Sequence, residues 1–95
     1  MQVSLKKIFQ SFLDNYIKIH YEIKENHIGL STTVKNKQKY TLSKHSHTIT
    51  HWFNDDYGKT FVEYKIVREN GFILIKKDNQ AIMKFSCPNE PLTFK

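Results

Sequence analysis

Between Asn26 and Asn54 the chain carries no Asp or Glu, yet Lys35, Lys37, Lys39, Lys44, Tyr40, Trp52 and four of its five histidines fall inside that window. Ammonium groups displace counterions at phosphates and aromatic faces stack on exposed bases, so this mixture suits a polyanion. The residues expected to bind nucleic acid are Lys35, Lys37, Lys39, Tyr40, Lys44, His45, His47 and Trp52. The competing reading is a set of solvated turns in which lysines guard a sheet edge.

Other chemistry finds less support. Alternation along a strand would bring His45, His47 and His51 to one face, and zinc accepts three imidazoles plus water. The spacing is not a standard one and no Cys or Glu completes the set, so no metal and no other cofactor is assigned. Three scattered glycines make no phosphate-cradling loop, and no Ser or Cys nucleophile motif occurs. A metal-free ribonuclease using His47, His51, Tyr64 and Arg68 is the best-supported enzyme reading, but any basic chain with five histidines offers such a set. The chain is read as non-enzymatic. Asp55-Asp56 before Gly58 reads as turn chemistry. Cys87 is the lone cysteine and reads as a small apolar filler, in a chain made for a reducing, cytoplasmic compartment.

The net charge of +6 permits an anionic partner. Arg68 is the one arginine among fifteen cations, whereas bidentate readout of phosphate and guanine favours Arg. Lys, Ile, Asn, Phe and Tyr share AT-rich codons, so a low-GC bacterial or phage genome would supply part of this lysine excess without selection for binding. No membrane partner is expected. Gln10, Ser11 and Asp14 interrupt the start, and the longest apolar run, Phe72 to Ile75, is far too short to span a bilayer.

These residues need a scaffold, and 95 residues give one domain, 1–95, with a modest core. Leu5, Ile8, Phe9, Phe12, Leu13 and Tyr16 form one helical stripe, with Ser4 placed to cap it. The period then switches to two. Ile17, Ile19, Tyr21 and Ile23 predict a first strand, Ile28 to Val34 a second, and Tyr40 and Leu42 open a weaker third. Ser43 to Gly58 reads as strand or short helix, with Thr and Ile favouring strand. A four-residue loop at Arg68–Gly71 would set Ile66 against Ile73 and Glu63 against Lys76. A two-residue Asn-Gly loop would oppose Lys65 and Lys76, so the longer loop is preferred. A second hairpin at Asp78-Asn79 sets Ile75 against Ile82 and Phe72 against Phe85. Phe72 to Ile75 is apolar on both faces, as in an interior strand. The fold class expected is α+β, one N-terminal amphipathic helix on an antiparallel β-meander of five or six strands. One helix covers one face, which leaves the other to curvature, to the tail Pro88 to Lys95, or to a partner.

Phe53, Gly58, Thr60, Phe61, Tyr64 and Arg68 resemble the pattern that closes the second helix-turn-helix of AraC-type regulators. The resemblance covers about sixteen residues and implies a preceding helix over Lys37 to Thr48 and further helix over Phe72 to Phe85. It lacks the preceding helix and its turn glycine, and Phe72 to Phe85 alternates as strands do, so we read it as coincidence.

Two functions follow from these readings. The first is a small nucleic-acid-binding or regulatory module using the acid-free window. The second is a protein-interaction module, such as an inhibitor or adaptor from a phage or mobile element, or a homodimer, acting through the spare sheet face or an edge strand.

Overall fold

The computed structural model describes residues 4–18, 22–33, 38–55, 58–86, 92 and 94. Lys35, Lys37, Cys87 and Ile19 to Tyr21, expected in the first strand, lie outside the described residues. The chain begins with helix α1 (Leu5–Ser11), which continues without a break as a π-helical turn, Phe12–Ile17. Ser4 caps it: its extended backbone lets Oγ accept from Lys7 N at 3.2 Å. At the far end Lys18 turns left-handed and its N–H closes on Leu13 O at 2.8 Å. Of the expected stripe, Leu5, Ile8, Phe9, Phe12 and Leu13 are sealed from solvent, whereas Tyr16, at the end of the run, is 42% exposed and stacks on Phe12. Ile17 belongs to this helical run and not to the first strand. It is four residues from Leu13, so it satisfies the helical spacing as well as the alternation.

Seven antiparallel strands follow: β1 (Ile23–Glu25), β2 (Gly29–Thr33), β3 (Lys39–Ser43), β4 (Thr48–Asp55), β5 (Gly58–Glu69), β6 (Phe72–Lys77) and β7 (Gln80–Ser86). They pair strictly in chain order. The α+β meander is as expected, but the count is seven, not five or six. The difference arises at Ser43–His47. The Ser43 hydroxyl accepts from His45 N and Ser46 N, both at 3.3 Å, and His47 N reaches Ser43 O at 3.1 Å. Left-handed His47 completes a tight turn, which separates β3 from β4 where the sequence blurred them. β3 and the turn after it stand where the AraC-type resemblance implies a preceding helix, and β6 and β7 where it implies a following one, so neither helix occurs among the described residues.

Both C-terminal registers differ from expectation. Asn70 and Gly71 both have positive φ, the type I′ geometry whose twist matches that of the flanking strands. The loop therefore has two residues, Ile66 pairs with Ile75, and Lys65 does stand opposite Lys76. Turn geometry outweighs one unfavourable charge pair, which is worth at most about 1 kcal/mol. In the next hairpin the turn is Asp78-Asn79, as expected, but a bulge shifts the register between Ile75 and Lys76. Ile75 now pairs with Met83, and Ile73 with Phe85. The extra residue turns Met83 and Phe85 onto the helix side, where they join the core.

The core lies on one face of the sheet. Leu30, Tyr40, Leu42, Ile49, Tyr64, Ile66, Ile73 and Ile75 point toward the helix and are buried. Leu92 and Phe94 of the tail pack against this same cluster, and Phe94 O accepts from Lys6 N at 2.9 Å. The described part of the tail therefore backs the helix side and leaves the opposite face open. β6 is interior in the sheet, but its outward residues Phe72 and Leu74 are only half-buried.

Candidate functional site

The open face is a ladder of side chains set by register. Lys39, Trp52 and Phe61 are successive cross-strand neighbours on β3, β4 and β5 and form one rung. Thr41, Thr50 and Glu63 form the next. Two residues farther along β5, Thr48, Lys65 and Lys76 line up, followed by Val67, Leu74 and Lys84.

The first rung holds the most unusual surface. Trp52 is 40% exposed and Phe61 55%, on strands whose other faces bury their apolar side chains. Their ring centroids lie 5.3 Å apart with planes tilted by 45°. The indole Nε1 donates to Thr41 Oγ1 at 3.0 Å, which satisfies its polar edge and fixes the ring. Farther on, Phe72 is already covered, with Lys84 Nζ 3.8 Å from its ring centroid.

Lysines dominate the charge on this face. Lys24, Lys39, Lys65, Lys76 and Lys84 point outward, against Glu63 and Glu69. Lys76 Nζ meets Glu69 Oε1 at 2.8 Å in an ion pair. The Lys65–Lys76 opposition sits where β5 passes from pairing with β4 to pairing with β6. Beyond it, no described strand pairs with the β6 side of Gly58–Glu63. A depression of about 720 Å³ occupies that notch, lined in part by Phe61, Glu63, Lys65, Lys76 and Lys77.

The residues picked from the sequence are dispersed. Lys39 and Trp52 are brought together as direct neighbours. Tyr40 points the other way, buried beneath the helix and stacked on His51 with centroids 4.2 Å apart. It offers no face to a base. Lys44 and His45 lie in the β3–β4 turn, where Lys44 Nζ stands 5.8 Å from the Phe94 ring centroid. His47 ends that turn with its carbonyl bound by Ile66 N at 3.0 Å. The three histidines do not share a strand face, because two belong to the turn. No group of three His, Cys, Asp or Glu side chains able to hold a metal occurs among the described residues. Phe61, Lys65 and Lys76 were not selected from the sequence. The available signal was Phe61 standing out of phase with Val62, Tyr64 and Ile66, an aromatic on a strand's wet face.

The titratable groups with shifted equilibria all belong to the helix side. Burial, reinforced by Tyr64, pushes the Tyr40 phenol up to about 12. Burial and nearby Tyr16 also raise Tyr64. Burial lowers His51, whose Nε2 lies 2.9 Å from Gln38 Oε1. Of the four groups named for a ribonuclease, His51, Tyr64 and Arg68 are on this helix-covered face. Arg68 stands beyond the last β4–β5 pair and His47 in the turn, so register spreads the set along the sheet.

No family model, curated protein or solved structure matches the chain.

Proposed function

We propose that this protein is a small non-enzymatic nucleic-acid-binding module and that its binding surface is the open face of the sheet. One observation carries the reading: a fixed, solvent-facing Trp52–Phe61 pair in the same rung as Lys39. Rings held at the surface of a rigid sheet lose little entropy on stacking against a base, and flanking ammonium groups meet the backbone. The five outward lysines against two glutamates give the face the sign a polyanion requires. Such a ligand would be met in the cytoplasm, in keeping with the single cysteine.

An affinity pull-down with and without nuclease, followed by anisotropy titration at several salt concentrations, tests this. Binding should weaken steeply with salt. No binding to DNA or RNA at low salt would dispose of it. A protein-interaction module is the second reading, favoured by the β5 edge at Gly58–Glu63, which no described strand pairs on its β6 side. An extended segment of a partner could add there as a strand. A specific protein that survives nuclease in the pull-down would favour it.

A further inference from the structure

We infer that the ligand of the open face is single-stranded and that it runs along β5, with a base on the Trp52–Phe61 pair and a backbone phosphate between Lys65 and Lys76. The inference rests on the nucleic-acid reading above and narrows it. A ring pair lying on a broad sheet can meet only a base that is unstacked from its neighbours, because paired bases expose edges and not faces. Duplex grooves admit a helix or a two-stranded ribbon, and this surface spans seven paired strands.

The phosphate position follows from charge. Register forces Lys65 and Lys76 directly opposite each other, an arrangement that costs stability unless an anion lies between them. Lys76 has Glu69 as a partner, whereas Lys65 has no acidic partner among the described residues. Both line the notch beside Phe61, which Lys77, Glu63, Glu69 and Asp78 also line, so ring, ammonium pair and depression form one continuous surface of mixed charge. Phe61 and Lys65 are four residues apart on one strand, a separation of roughly 13 Å. About two nucleotides of extended, unstacked strand span it, and one flanking nucleotide at each end brings the footprint to about four, the lower end of site sizes for sheet-based single-strand binders. Phe72 is capped by Lys84, so the track offers one stacking platform and not two.

Trp52 is the sole tryptophan, so its fluorescence reports the platform directly. The full chain is titrated at low salt with oligouridylates of two to eight nucleotides, with an RNA hairpin duplex, and with polyphosphate as a polyanion that has no bases. The expected result is quenching of Trp52 by the single strands, with affinity levelling off near four nucleotides, and none by duplex or polyphosphate. Phe61→Ala should weaken single-strand binding roughly tenfold. Lys65→Gln with Lys76→Gln should leave quenching at saturation intact and lower the slope of affinity against salt by about one. Duplex or polyphosphate binding as tight as the single strand, or single-strand binding without quenching, overturns the inference and leaves an anion-binding face. No binding of any probe at low salt overturns the nucleic-acid reading itself. Circular dichroism of each variant separates lost binding from lost fold.

Discussion

Gly29→Ala should be among the most damaging single-methyl additions this chain can suffer. A Cβ at Gly29 would fall inside the Leu42 carbonyl group, 2.9 Å from its carbon, and 3.2 Å from Lys44 N. Every one of those atoms is backbone, so no side chain can swing aside. Relief requires β2 to move off β3 at its first residue, where Gly29 pairs with Ser43. Three short contacts would be strained together: Lys44 N to Ile28 O at 3.1 Å, Asn26 N to Gly29 O at 2.9 Å, and Gly29 N to Asn26 Oδ1 at 3.0 Å. At about 0.5–1.5 kcal/mol for each hydrogen bond, the expected loss is roughly 2–4 kcal/mol. Urea unfolding followed by circular dichroism measures it. A lower m-value should accompany the loss if β1 and β2 fray first, since β1 has only β2 to pair with. Gly58→Ala is the comparison: its Cβ meets nothing within 4 Å, and the penalty is only that of a φ of +119°, on the order of 1–2 kcal/mol. If Gly29→Ala costs no more than Gly58→Ala, the close approach of β2 to β3 is wrong.

Ser4→Ala removes the acceptor for Lys7 N and should cost about 1 kcal/mol in chemical denaturation, with Ser4→Gly costing less. Ile73→Ala empties a fully buried site beneath the helix and should cost about 2–5 kcal/mol by the same measurement, against under about 1 kcal/mol for the outward-facing Thr50→Ala. Alkaline pH should destabilise the fold through Tyr40. Its phenol stays protonated when folded but ionises near 10 when unfolded, so this stability is complete below pH 10 and disappears as pH rises to about 12. The effect amounts to roughly 3 kcal/mol; Tyr40→Phe should flatten the decline in urea midpoint between pH 9 and 11.5, and an unchanged slope would sink the assignment.

The helix was legible because two signals agreed, a capping Ser4 and an apolar stripe of the right period from Leu5 to Leu13. Tyr40 and Leu42 were legible as residues of β3 from their alternation, though not as inward-facing ones. Their inward position is also what separates Tyr40 from the proposed binding surface, since a composition window does not distinguish the two sides of a strand. The bulge after Ile75 was not legible: alternation has no mark for one extra residue, and both Met83 and Phe85 are acceptable on either face until the helix chooses. The Asn70-Gly71 register failed for a different reason. A local charge penalty was weighed above the backbone demand of two positive φ angles, which is the stronger constraint. Of the proposed binding surface, Lys39 and Trp52 share a sequence window, while Phe61 and Lys65 join them only through pairing of β4 with β5.

Strict pairing in chain order has a consequence for how the molecule is made. Each hairpin can close as soon as its second strand exists, and such closures take microseconds, far faster than a ribosome adds residues. The helical segments, of 7 and 6 residues, precede the sheet in the chain and even together are too short to persist alone. Their partners Tyr40, Tyr64, Ile73 and Ile75 are spread over the rest of the chain. During synthesis the stripe of Leu5, Ile8, Phe9, Phe12 and Leu13 therefore waits uncovered while the sheet grows behind it, a natural target for a chaperone that grips short apolar segments. The element that precedes the sheet in the chain is covered only once the sheet is built.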